Sequence, residues 1–274
     1  MKKTDITGFP VHLRHEKIRV CGNIIERRSY LNSFNEMAIK KIDDTHYMIK
    51  STGEICEYQK STSRADNKWR MIESQANMRA IANANFKGGK NEMFKTLTYR
   101  ENMQDTKRVY NDFRNYMAKL ERRYNLRLSY LAVLEPQERG AWHLHVLIKR
   151  SDGERLYIPQ KELLALWGHG SVTVQRIQQV DNVGAYLSGY LKKATRLQMY
   201  PPGVNFYRYT RDLKKPEWVN MIDVPWHEKA MLSDANRVHD SQKMIEDESG
   251  VKQIVRYQQY NIVRNQNNQR VVNK

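Results

Sequence analysis

Sulfur chemistry is nearly absent from this sequence, whose only cysteines are Cys21 and Cys56. Two thiols exclude a disulfide scaffold and a four-thiolate zinc site. Long apolar runs are missing as well. No apolar stretch of about 18 residues and no basic amphipathic helix stands out, which argues against a membrane span or a membrane-surface anchor. The amino terminus lacks the apolar core of a signal peptide, so a soluble, cytoplasmic protein with no membrane partner is expected. A phosphate loop is also lacking. Lys87-Gly88-Gly89-Lys90 matches one only in part, because the motif needs Gly at position 84 and Ser or Thr at 91, where Ala84 and Asn91 stand. No ATPase or helicase is visible, and no nucleotide cofactor is expected. Acidic residues are in deficit, 30 against 47 lysines and arginines, for a formal charge of +17. A polyanionic partner is the direct inference. With 274 residues and 40% apolar content, the chain can bury a core in one large domain or a domain with extensions.

What is present centres on Trp142-His143-Leu144-His145-Val146-Leu147-Ile148. As a β-strand this run alternates faces, so His143 and His145 share one side while Leu144 and Val146 point to the other. Paired histidines on a strand are often ordinary packed residues, but two imidazoles on one stiff face also make half of a metal site. Upstream, Leu128 to Leu134 is a second apolar run ending at Glu135, and Pro136-Gln137-Glu138-Arg139-Gly140 punctuates the gap. A hairpin over these segments returns Glu135 alongside both histidines. Two neutral imidazoles and one carboxylate form a three-ligand set with open positions, as in working metal sites. Glu138 competes as the carboxylate, but it lies in the turn, where a solvated charge is ordinary.

In chain order, residues 1–90 say least. Arg19 to Gly22 and Thr45 to Lys50 read as short strands, and residues 67–83 as a helix capped by Asn67. Arg64, Lys68, Arg70 and Arg79 place positive charge around that helix. Phe94-Lys95-Thr96-Leu97-Thr98-Tyr99 alternates as a strand. A helix over 106–124 follows, with Asp105 at its start and Val109, Phe113, Met117, Leu120 and Tyr124 on one stripe. After the hairpin, Pro159 opens a second helix that Gly168 stops, with Leu163, Leu164, Leu166 and Trp167 along it. Ser171 to Gln175 is a strand, and Asp181 is expected to cap a third helix containing Ala185 to Lys193. The order strand, helix, strand, strand, helix, strand, helix is the ferredoxin-like split βαββαβ arrangement with one added helix. The fold class is therefore α+β, an antiparallel sheet with helices on one face. Residues 91–227 form this domain, with 1–90 as an amino-terminal extension and 228–274 as a polar carboxy-terminal one.

The third helix carries the second piece of chemistry. Tyr186, Tyr190 and Lys193 lie on one face, at i, i+4 and i+7. Val183, Leu187, Leu191 and Ala194 form an adjacent stripe that already accounts for packing on the sheet, which leaves the tyrosines free for another task.

Together these motifs resemble the HUH superfamily of single-strand DNA nickases, most closely its rolling-circle replication initiators. Three segments occur in that family's order: the strand Phe94 to Tyr99, His143-Leu144-His145, and Leu187-Ser188-Gly189-Tyr190-Leu191-Lys192-Lys193. Tyr186 adds the second tyrosine of the two-tyrosine branch. Trp167-Gly168-His169-Gly170-Ser171-Val172 is similar to a segment of bacterial and phage members. The resemblance covers about residues 91–215 and implies the HUH endonuclease fold. It implies Mg²⁺ or Mn²⁺ held by Glu135, His143 and His145, and Tyr190 and Tyr186 as nucleophiles with Lys193 assisting. The implied reaction leaves a 5′-phosphotyrosine and a free 3′-OH on single-stranded origin DNA, with a host helicase supplied in trans. Plasmid, phage and integrative element are all compatible as the replicon.

Phe206 to Lys215 mixes aromatics with cations and suits single-strand contact, with Lys192, Arg208, Arg211, Lys214 and Lys215 as candidate DNA-binding residues. Residues 228–247 read as a charged helix, Val251 to Val263 as a strand, and Asn265 to Lys274 as a disordered tail. Three other readings remain open: an origin-binding protein that does not cut, a relaxase- or transposase-type nickase, and a metallohydrolase that uses water.

Overall fold

The computed structural model describes residues 15–30, 39–50, 52–57, 68–177, 180–190, 200–201, 203–246 and 252–264. Arg64, the cap expected at Asn67 and the tail expected over 265–274 lie outside the described residues. The chain falls into two compact units, one drawn from residues 1–60 and 217–274 and the other from 61–216. The sequence suggested divisions near 90 and 227 instead. The chain begins with β1 (His15–Cys21), β2 (Ile24–Tyr30), β3 (Ile39–Lys41), β4 (His46–Ile49) and β5 (Ile55–Glu57). The second unit then runs α1 (Lys68–Asn85), β6 (Glu92–Thr98), α2 (Thr106–Tyr124), β7 (Leu128–Pro136) and β8 (Trp142–Arg150). It continues with α3 (Gln160–Trp167), β9 (Val172–Gln175), α4 (Val183–Gly189) and β10 (Tyr207–Tyr209). The chain returns to the first unit with β11 (Val219–Asn220), β12 (Arg237–Glu246) and β13 (Lys252–Asn261).

The first unit holds a sheet in the order β11-β1-β2-β13-β12 and a separate meander, β3-β4-β5. Ile18, Ile25, Val224 and Tyr260 form its core. Arg19 and Glu26 are buried as an ion pair, and Tyr257 donates its hydroxyl to the same carboxylate. Trp218 has the guanidinium groups of Arg19 and Arg28 within 4.5 Å and 4.2 Å of its ring, a cation–π arrangement. The charged helix expected over 228–247 is not formed. Only Trp226–Ala230 is helical, and Arg237–Glu246 is the strand β12. Asp240 pairs across the sheet with Arg256 through two hydrogen bonds, so β12's charges serve a strand pair.

The second unit is built on a sheet in the order β10-β7-β8-β6-β9, antiparallel throughout. Leaving aside the edge strand β10, the succession β6, β7, β8, β9 gives the ferredoxin-like order, and the α+β class is as the sequence indicated. Asp105 caps α2 by accepting from the backbone N–H groups of Lys107 and Arg108, and Asn125 ends it in the left-handed region at φ 49°. Val109, Phe113, Tyr116 and Leu120 turn one stripe of α2 into the core. Burial of each contributes on the order of 1.5–3 kcal/mol. Pro159 sits one position before α3, as its N-cap, and Gly168 ends that helix at φ 70°. Asn182, not Asp181, caps α4, because its side chain accepts from Ala185 N–H.

Strand alternation decides what each face of this sheet carries. The register places Thr96 opposite His145, Thr98 opposite His143 and Glu135 opposite His143, so these residues share a face with Phe94. Lys95, Leu97, Leu144 and Val146 point to the other face, where α2 and α3 pack. There Lys95 meets Tyr116, and Tyr130 meets Phe113 edge-on. The histidine face is overlain by α4 and by the end of α1. Phe94 touches both tyrosine rings of α4, and Lys149 Nζ donates to the carbonyl of Asn85. Among the described residues no helix is long and apolar enough to cross a membrane.

Candidate active site

The hairpin β7–β8 does what its turn signals predicted. Gln137 and Ala141 are bonded across the turn, and Gly140 takes φ 86°, a conformation that favours glycine. Glu135 thereby returns beside the histidines. His145 Nε2 lies 2.5 Å from Glu135 Oε2, and its Nδ1 lies 3.1 Å from Thr96 Oγ1. The Nε2–H tautomer satisfies both contacts, donating to the carboxylate while the threonine hydroxyl donates to Nδ1. Burial lowers His145 to about 4. Burial, then the neighbouring His145 and Arg139, lowers His143 to about 4 as well. Both rings are therefore neutral at physiological pH, the state in which imidazole nitrogen binds a metal. His143 Nε2 is buried with no hydrogen-bond partner. Glu135, Gln137, Glu138, Arg139 and His143 line an open pocket of about 380 Å³. Glu138 is exposed in the turn, at the rim of that pocket.

Among the described residues no three His, Cys, Asp or Glu side chains are arranged to hold a metal ion as they stand. The donor set nevertheless fits one. An unpartnered ring nitrogen on His143 and the neutral His145 ring against Glu135 offer two nitrogens and a carboxyl group, a set suited to divalent ions. A metal taking Nε2 of His145 displaces the proton now shared with Glu135.

The tyrosines come to the same place from α4. Tyr190 stacks on His145 with ring centroids 3.9 Å apart and planes at 26°. Tyr186 lies one turn back, its hydroxyl 3.2 Å from that of Tyr190. Burial first, then the Tyr186 hydroxyl, pushes the Tyr190 phenol well above its ordinary range, so it stays protonated at rest. Both rings rest on Phe94. Lys192 and Lys193 lie outside the described residues.

Two supports were not visible in the sequence. The first is α1, which the sequence left in an amino-terminal extension. Asn83 of α1 accepts from Gly184 N–H at 2.7 Å and donates to Asn182, pinning the start of α4. A Cβ on Gly184 would lie 2.5 Å from the carbonyl oxygen of Arg79, so the two helices cross at a position only glycine fits. The second is the segment Trp167 to Gly170. Trp167 Nε1 donates to the Thr98 carbonyl, and a Cβ on Gly170 would clash with that same oxygen. His169 packs on Tyr99, whose hydroxyl donates to Asp112. The loop thus clamps the end of β6 opposite His143.

Residues 92–195 match a family model described as a replication-associated protein of the ORF2 kind. The match supports a replication initiator. It runs from the start of β6 past α4 and encloses every histidine, carboxylate and tyrosine of the site, while α1 and β10 lie outside it. No curated protein and no solved structure matches the chain.

The remaining predicted DNA contacts lie near β10. Tyr207 and Tyr209 stand on the histidine face, stacked at 5.9 Å, with Lys215 Nζ 5.4 Å from the Tyr209 ring. Arg208 projects to the opposite face, where its guanidinium lies 3.7 Å from the Tyr110 ring centroid. Arg211 and Lys214 have exposed side chains, and Asn85 bonds both the N–H and the carbonyl of Lys214.

Proposed function

We propose that this chain is a replication initiator that nicks single-stranded origin DNA by tyrosine transesterification and later rejoins the strands. The observation that carries this reading is the stacking of Tyr190 on His145, which puts a phenol beside a histidine already paired with a carboxylate. A divalent ion, Mg²⁺ or Mn²⁺, held by Glu135, His143 and His145 supplies Lewis acidity at the scissile phosphate. Thr96 and the sheet register hold His145 in orientation, and Phe94 seats both tyrosine rings. The tyrosine oxygen forms its bond to phosphorus as the P–O3′ bond breaks, and the phenol proton passes to the departing 3′ oxygen. The product is a 5′-phosphotyrosine and a free 3′-OH. Because Tyr190 is protonated at rest, proton loss must accompany attack, and Lys193 is the proposed cation that eases it. The phosphotyrosine keeps the bond energy, so rejoining needs no ATP. Strand separation then falls to a helicase supplied in trans. Lys192, Arg211, Lys214 and Lys215 are proposed to hold the strand through its phosphates, and Tyr207 and Tyr209 lie nearby for base stacking.

The test is incubation with a single-stranded DNA library and Mn²⁺, followed by mass spectrometry of the protein-linked end. An adduct on Tyr190 or Tyr186, reduced sharply in Tyr190→Phe, is the expected result. DNA binding with no covalent product would replace this reading with that of an origin-binding protein that does not cut.

A further inference from the structure

The strand β9 ends at Gln175, whose register partner is Phe94, so its side chain leaves the sheet on the histidine face. There its Oε1 accepts from both candidate nucleophiles, at 3.1 Å from the Tyr186 hydroxyl and 3.0 Å from that of Tyr190. With the two hydroxyls 3.2 Å from each other, three oxygens close a triangle of nearly equal sides. A phenol carries one proton, so two protons serve these three contacts. Either both tyrosines donate to Gln175, or one donates to its neighbour and the neighbour donates to Gln175. The amide oxygen is the acceptor common to every such arrangement.

We infer that Gln175 is a positioning residue that couples the two tyrosines and sets which of them is presented to the phosphate. The inference rests on the reading of Tyr186 and Tyr190 as nucleophiles. While both phenols are protonated, one amide oxygen holds them equally and favours neither. Once one oxygen is bonded to phosphorus it has no proton to donate. The other phenol then keeps the whole acceptor and stays in place one helical turn away for the next transfer. A carboxamide also carries N–H donors, so turning the amide over offers a donor to a phenol oxygen that has lost its proton. An aliphatic side chain of the same length does neither, and a carboxylate does only the first.

The test uses the full-length protein with Mn²⁺ and a single-stranded substrate cut at one site. Single-turnover rates are measured across DNA concentrations, and the adduct is located by mass spectrometry. Three proteins are compared: wild type, Gln175→Met and Gln175→Glu. In Gln175→Met the ratio of Tyr186 to Tyr190 adduct should change by roughly two- to ten-fold, the range a typical hydrogen bond governs. The rate at saturating DNA should fall while half-saturation stays put. Gln175→Glu keeps the acceptor oxygens and should restore the ratio toward wild type. Gln175→Ser, too short to reach either hydroxyl, repeats the Met result should that variant fold poorly. An adduct ratio unchanged in both Met and Ser variants overturns the coupling. A wild-type protein with no adduct on either tyrosine overturns the underlying reading instead.

Discussion

Lys95 offers the sharpest test of the packing behind the site. Its side chain is 0% exposed, and the contacts of its ammonium are with Tyr116, whose hydroxyl is 3.2 Å away and whose ring centroid is 4.5 Å away. Burial lowers its pKa from 10.5 to about 7. Below pH 7 the amine is charged in both the folded and unfolded chains, and the folded state carries the full desolvation penalty. Between about 7 and 10.5 it is neutral only when folded, so the unfolded chain binds more protons and stability rises with pH. The slope over that window is at most about 1.4 kcal/mol per pH unit, which accumulates to no more than about 5 kcal/mol. Lys95→Met alone leaves the Tyr116 hydroxyl without its partner, at a cost of about 1–3 kcal/mol. The double substitution Lys95→Met with Tyr116→Phe removes both polar groups and is the cleaner perturbation. Urea denaturation of this variant and of wild type at intervals from pH 6 to 10 measures the difference. The variant should be the more stable at pH 6, and its advantage should shrink steadily toward pH 10. Parallel curves across the range would refute the assignment of Lys95 as a buried, titrating amine.

Three further outcomes are expected. Replacing His143 and His145 together by alanine should abolish most adduct formation while the circular dichroism spectrum is retained, and EDTA should do the same to wild type; nicking at the wild-type rate under either condition would remove the metal assignment. Gly184→Ala should destabilise the second unit by about 1–3 kcal/mol through overpacking against Arg79, whereas Gly189→Ala, with nothing within 4 Å of its new Cβ, should be neutral or stabilising by about 0.4–1 kcal/mol in thermal melts. Affinity for single-stranded DNA should fall linearly in a log–log plot against salt, with a slope of about −2 to −3.5 for three to five phosphate contacts; a flat response from about 50 to 200 mM would deny that the +17 charge drives binding.

Sequence alone determined the features that rest on neighbours along the chain. Alternation over Trp142 to Ile148 puts both histidines on one face, and Pro136 and Gly140 turn the strand so that Glu135 returns to them. The cap at Asp105, the stop at Gly168 and the spacing of Tyr186 and Tyr190 are equally local, because hydrogen bonds and periodicity within a few residues decide them. Tertiary structure decided whatever depends on partners far apart in sequence. That α1 belongs beside α4 is settled by Asn83 and Gly184, which meet across 101 positions through a backbone contact that leaves no hydrophobic signature. Gln175 is an ordinary end of a short strand until α4 brings two hydroxyls to its amide. Arg208, one of several cations in its segment, is turned from the histidine face by the register of β10. The first unit is the extreme case. Strand β2 pairs with β13 from the other end of the chain, and β12 carries its charges in cross-strand pairs, so a charged stretch with no apolar alternation reads as helix. Local propensity is weak there, and the energy of pairing with a distant strand outweighs it.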